Sequence, residues 1–141
     1  MNRKCTNLPF LLLMQTSKAV QEKMKLEMAK NNLSITEFSV LEVLYNKGKQ
    51  TIQQIGHRIL ISSGSMTYVI DRLEQKGLLT RSACPDDRRA IHVNLTDEGI
   101  HLMEHIMPKH QGWVDNMFSS LTTEESEIFV KLLKKINNKK E

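Results

Sequence analysis

Residues 51–95 carry a change of hydrophobic period that few folds accommodate. Thr51 opens a short segment with Ile52, Ile55 and Ile59 at helical spacing, and Ile61-Ser62-Ser63-Gly64 interrupts it. Met66, Val69, Ile70 and Leu73 then recur at i, i+3, i+4 and i+7. That predicts a helix from about Ser65 to Lys76, with Gly77 as its C-terminal stop. Immediately afterwards the period falls to two. Apolar and polar residues alternate from Leu78 to Ala83 and from Ala90 to Leu95, around the charged turn Cys84-Pro85-Asp86-Asp87-Arg88-Arg89. This is the pattern of a β-hairpin with a basic tip. Helix, turn, helix and hairpin in that order make a winged helix-turn-helix.

The flanks read as helices. Residues 8–31 form one long segment with an imperfect apolar stripe of Leu8, Leu12, Gln15, Ala19, Met24 and Met28, ended by Asn31-Asn32. Ser34 or Thr36 can cap a second helix over Glu37–Asn46, with Phe38, Leu41, Val43 and Leu44 on its buried side. After the hairpin, Thr96 caps a helix that reaches about Ser119, in which Pro108 is expected to cause a kink or a break. Thr122-Thr123-Glu124-Glu125 offers a capping box for a last helix, with Ile128, Phe129, Leu132, Leu133 and Ile136 inward. The fold class expected is mainly α with a small β-hairpin wing. Residues 1–141 form a single domain, with the winged helix-turn-helix at 33–95.

The segment from Ser65 to Lys76 has a second face with no core to fill. It carries Tyr68, Asp71, Arg72 and Gln75, with Ser65 and Thr67 on its flanks. The major groove of DNA admits one helix, and hydroxyl and methyl groups presented there can read base edges. Ser63, Ser65, Thr67, Tyr68 and Arg72 are therefore candidate DNA-binding residues. Arg88 and Arg89 at the hairpin tip are candidates for a narrow minor groove, where the potential is most negative. The bland alternatives are a solvated helix face and an ordinary charged turn. The 20 Lys and Arg against 16 Asp and Glu, a net charge of +4, permit a polyanionic partner without proving one.

The chain from Leu33 to Gly99 resembles the MarR family of bacterial regulators. The resemblance rests on the run from Val69 to Leu78, on Asp87-Arg88-Arg89 and on Leu95-Thr96-Asp97-Glu98-Gly99, in that order and at the family's wing spacing. It implies a homodimer built from the helices at 8–31 and 97–137, bound to a pseudo-palindromic operator in double-stranded DNA. Arg89 would enter the minor groove. Asp71 would pair with Arg89 and, with Asp87, orient the wing. Within the family, Ile59 to Asp71 and Ala83-Cys84-Pro85 are most similar to the branch that controls quinone and hydroquinone detoxification.

Other features point to sensing. Cys5 lies beside Arg3 and Lys4, and Cys84 lies near Arg81 and Arg88; nearby cations raise thiol reactivity, although an incidental thiol is the commoner case. His101 and His105 form an i, i+4 pair, followed by His110, but no further ligand set completes a metal site. The eight methionines suit either plain core or an adaptable pocket for an aromatic ligand between the dimer helices and the winged helix. No nucleophile–base pair, paired-acid motif or phosphate loop is visible, so neither an enzyme nor a cofactor is expected. No apolar run approaches the ~20 residues of a membrane span, and two unclustered thiols fit a reducing cytoplasm. The leading expectation is a repressor released by a small aromatic ligand or electrophile, such as a phenol or quinone. The alternatives are a thiol-based redox sensor, an architectural DNA-binding protein without effector, and a winged helix that binds protein.

Overall fold

The computed structural model describes residues 7–59, 65–87 and 89–138. Its elements are α1 (Leu8–Ala29), α2 (Ile35–Lys47), β1 (Gln50–Thr51), α3 (Ile52–Arg58), α4 (Met66–Gln75), β2 (Leu79–Ala83), β3 (Ile91–Leu95), α5 (Asp97–Phe118) and α6 (Thr123–Ile136). Residues 1–103 and 104–141 are two compact units. The first holds a mainly helical fold with a three-stranded antiparallel sheet in the order β1-β3-β2. Its core is Phe38, Val40, Leu41 and Leu44 of α2, Ile55 of α3, Val69, Ile70 and Leu73 of α4, Leu79 and Val93 of the sheet, and Met103 of α5.

Local chemistry sets the boundaries. Ser34, not Thr36, caps α2: Ser34 Oγ accepts from the Glu37 N–H at 3.0 Å, and Glu37 Oε1 accepts from the Ser34 N–H at 2.9 Å. Only Ser34 has a glutamate three residues on, so only it can close the reciprocal box; Thr36 is buried. Thr51 and Gln54 form the same box at α3. Helices α1 and α4 end in left-handed turns that satisfy orphan carbonyls. At α1, Asn32 has φ +58°, and the Leu33 N–H donates to the Met28 carbonyl at 3.1 Å. At α4, Gly77 has φ +75°, and the Leu78 N–H donates to the Leu73 carbonyl at 3.0 Å. The sheet holds one strand that the alternation does not forecast. Gln50 and Thr51 pair with Val93 and His92 on the free edge of β3, and two residues are too few to show a period.

The first turn of α5 is tied to the end of α4. Thr96 Oγ1 donates to the Gly77 carbonyl at 2.6 Å and accepts from the Gly99 N–H at 3.1 Å. A Cβ at Gly99 would lie 2.1 Å from the Leu78 carbonyl oxygen, so this approach requires glycine.

The second unit corrects two expectations. Pro108 neither breaks nor ends α5, which runs as one helix to Phe118. Pro108 and Glu104 are both exposed, so water can take the carbonyl that proline leaves without a donor. The apolar residues expected to turn inward from α6 do not. No residue of α6 is buried, and Ile128, Phe129, Leu132 and Ile136 are exposed. Phe129 meets Phe118 with ring centroids 6.2 Å apart. In the first unit, α1 likewise exposes Leu8, Phe10, Leu11, Leu12, Leu13 and Met14, and only Met28 of its stripe is buried.

Glu37 is the one carboxylate in the buried set of the described residues. Burial pushes its pKa up, but hydrogen bonds from Lys76 and Ser34 and the Lys76 charge outweigh that, and the carboxyl lies below its ordinary value of 4.5. A depressed carboxyl favours the folded state above that ordinary value, and the contribution fades as pH falls through the lower folded value. Glu37→Gln should therefore cost about 1.5–3 kcal/mol at neutral pH, the worth of hydrogen bonds to a charged group. The gap to the parent protein should narrow below about pH 4.5 in urea titrations run at several pH values. A gap independent of pH would contradict the assignment.

Candidate nucleic-acid interface

The apolar side of α4 is spent on the core, with Val69, Ile70 and Leu73 buried. Its outer side is open. Ser65 stands at the N-cap position without a side-chain cap bond, so its hydroxyl is not used by the helix end. Thr67, Tyr68, Arg72 and Gln75 are exposed. The Tyr68 side is 60% exposed although it is an aromatic residue, and the Arg72 guanidinium sits 5.9 Å from its ring centroid. That contact restrains Tyr68 without hiding it.

The acidic residues on this side are neutralised from the wing. Arg81 extends from β2, on the same strand face as buried Leu79, and its guanidinium bonds the Asp71 carboxylate and, at 3.0 Å, Glu74 Oε1. Glu74 is held below the usual carboxylate range, chiefly by the Arg81 hydrogen bond, and the Arg81 pKa is raised, chiefly by Glu74 and then Asp71. The partner of Asp71 is thus Arg81, where the family resemblance implies Arg89. The reason is position. Arg81 lies two residues into β2, beside the helix it has just left, whereas Arg89 lies past the turn at the hairpin tip. Asp87 works at that tip: its Oδ1 accepts from the Arg89 N–H at 2.9 Å, and its carbonyl accepts from the Ala90 N–H at 3.1 Å. The side chain of Arg89 is exposed. Ser63, Arg88 and Cys5 lie outside the described residues.

The remaining candidates are scattered. Cys84 is a free, half-buried thiol whose N–H donates to the Ala90 carbonyl at 3.1 Å, closing the hairpin. His101 and His105 are exposed, and His105 Nε2 lies 3.4 Å from Lys109 Nζ. Among the described residues no three His, Cys, Asp or Glu side chains gather as metal ligands. Also among them, no helix is long and apolar enough to cross a membrane. A groove of ≈ 400 Å³ runs between α1 and the start of α2, lined by Met14, Ser17, Lys18, Gln21, Glu22, Lys25 and Ile35. Most of its lining residues are polar or charged, but the surface they turn to the groove is mainly apolar, and Met14 is its one methionine. Sequence reasoning missed Arg81 and Glu74. The period of two in β2 puts Arg81 on the face of Leu79, which is the available signal.

Residues 33–91 match the model of the MarR family. The chain is 45% identical over 127 residues to the HTH-type transcriptional regulator MhqR of Bacillus subtilis (strain 168), covering 90% of this chain and 88% of that protein. The chain belongs to the MarR family. Its fold is shared with solved structures at 22–24% identity. One is BpsR of Bordetella bronchiseptica, described for the regulation of its DNA binding by 6-hydroxynicotinic acid (TM-score 0.83; 99% of this chain, 100% of that one). Another is a mutant MarR from E. coli complexed with operator DNA (TM-score 0.80; 95% and 99%). As a MarR-family chain it is a DNA-binding transcriptional regulator and not an enzyme.

Arg81 separates two carboxylates from any phosphate that approaches α4 and holds the wing to that helix. Arg81→Gln should weaken DNA binding at least about tenfold, or about 1.4 kcal/mol. The weakening should apply to specific and scrambled duplexes alike, as read by fluorescence anisotropy. Unchanged binding would remove Arg81 from the interface.

Proposed function

We propose that this MarR-family chain is a cytoplasmic homodimeric repressor that releases a pseudo-palindromic operator when a small phenolic or quinone-type ligand binds it. The observation that carries the DNA reading is the outer side of α4, where Ser65, Thr67 and Tyr68 stand exposed beside carboxylates already paired with Arg81. In this reading Ser63, Ser65, Thr67, Tyr68 and Arg72 contact the major groove. Arg88 and Arg89 reach the minor groove, with Asp71 and Asp87 orienting the wing. The exposed apolar residues of α1 and α6 supply the dimer surface, since patches of that kind on a single chain mark association sites.

The effector reading is supported by the resemblance of Ile59 to Asp71 and Ala83-Cys84-Pro85 to the quinone and hydroquinone branch, and by BpsR, whose DNA binding is regulated by 6-hydroxynicotinic acid. A ligand between the dimer helices has leverage because it can change the separation of two recognition helices. It needs only a few kcal/mol of differential affinity to shift the DNA-competent population. Thiol modification is the competing switch, favoured by one observation: Cys84 closes the wing turn, its own N–H bonded to the Ala90 carbonyl.

The two switches separate in a Cys5→Ser, Cys84→Ser double variant. Under reducing conditions it should still release DNA when a hydroquinone is added, in a gel-shift titration matched to the parent protein. A variant deaf to every compound that releases the parent would transfer the sensing to the thiols.

A further inference from the structure

The C-cap residue of α4 and the residue after it are bonded to the ends of both helices that flank the winged helix. Lys76 Nζ donates to the Asn32 carbonyl at 2.7 Å and to Glu37 Oε2 at 2.8 Å. Asn32 is the left-handed residue that closes α1, and Glu37 is the residue whose other oxygen completes the cap of α2. The next residue, Gly77, gives its carbonyl to Thr96 at the start of α5. The Lys76 and Glu37 side chains are 19% and 7% exposed, so water screens this pair little. Arg72 Nε, one turn earlier on α4, lies 4.0 Å from the same Glu37 oxygen.

We propose that Lys76 is a positioning residue: it fixes the tilt of the recognition helix against the α1–α2 corner, and so fixes the half-site spacing that the dimer accepts. Val69, Ile70 and Leu73 hold α4 down by apolar contact, which is non-directional. The Lys76 bonds supply the missing direction, because a carbonyl and a carboxylate on one corner grip a single ammonium. The leverage is large. A ten-residue helix is ~15 Å long, so a tilt of about 10° moves its far end by ~2.6 Å, close to the ~3.4 Å step between base pairs. The same bond connects the end of α1, a helix of the dimer surface in the reading above, to the helix that meets DNA. The inference rests on that reading.

The test starts from an operator selected from random DNA with the parent protein. That operator is remade with one base pair inserted between its half-sites. Binding of both duplexes and of a scrambled one is measured by fluorescence anisotropy for the parent, Lys76→Met and Lys76→Arg. The parent should prefer the selected spacing at least about tenfold. Lys76→Met should lose most of that preference, to about threefold or less, while its affinity for scrambled DNA stays within about threefold of the parent. Lys76→Arg, whose guanidinium can still meet both acceptors, should recover the preference. Lys76→Met with the full spacing preference would overturn the proposal. Should that variant fail to fold, Glu37→Gln weakens the same link from the other side, and an undiminished preference there overturns it equally. A parent that selects no two-part operator at all defeats the preceding reading, and this inference with it.

Discussion

Gly77 is where three elements have to meet. The recognition helix must stop, the wing must start and the following helix must return to the same point within twenty residues. A left-handed backbone at φ +75° lets the chain reverse while the Gly77 and Leu78 N–H groups cap the last carbonyls of α4. The Gly77 and Leu78 carbonyls are then left pointing outward, and Thr96 takes both: its hydroxyl donates to Gly77, its N–H to Leu78. Gly99 completes the joint because any side chain there would strike Leu78. The separate motifs around Gly77 and around Thr96 to Gly99 are therefore two halves of one hydrogen-bonded junction. It sets where Arg81 emerges relative to Asp71 and Glu74.

The electrostatics of the outer side of α4 follow from that placement. That side carries two carboxylates, which would repel a polyanion if left unpaired. Arg81 covers both from the adjoining strand, so the charge that remains prominent is positive: Arg72 over Tyr68 and Arg89 on the wing. Glu37 plays the corresponding part on the inner side, where a buried carboxylate is satisfied by two helices at once. The exposed Arg81 pairs contribute little to stability, unlike the buried Glu37 pair. Their value here lies in geometry, because each one joins two elements whose relative placement decides what α4 can touch.

Much of this was legible in the sequence, and the division is physical. Helix α4, its stop at Gly77, the hairpin and the capping boxes of α2 and α6 depend on neighbours within one or two turns, and period and spacing report those directly. Ser34 against Thr36 could have been decided from Glu37 alone. The Lys76 bonds could not, since their partners lie 39 and 44 residues away and charge sign does not choose among sixteen carboxylates. Asp71 shows how resemblance can mislead: it offered Arg89 as partner, while the strand register delivers Arg81. The α6 stripe was correctly periodic, but a period shows only that one face is apolar. It does not show what covers it, and among the described residues no residue of α6 is buried.

The central claim is that α4 reads the major groove at two symmetry-related places. Single purines of a selected operator can be replaced by 7-deazapurines and single thymines by uracil, which removes the N7 acceptor or the C5 methyl and leaves base pairing intact. Binding to each modified duplex then maps the groove contacts directly. Losses should be confined to two patches whose centres lie about one helical turn, ~34 Å, apart. Losses in a single patch, or no loss at any position, would contradict it.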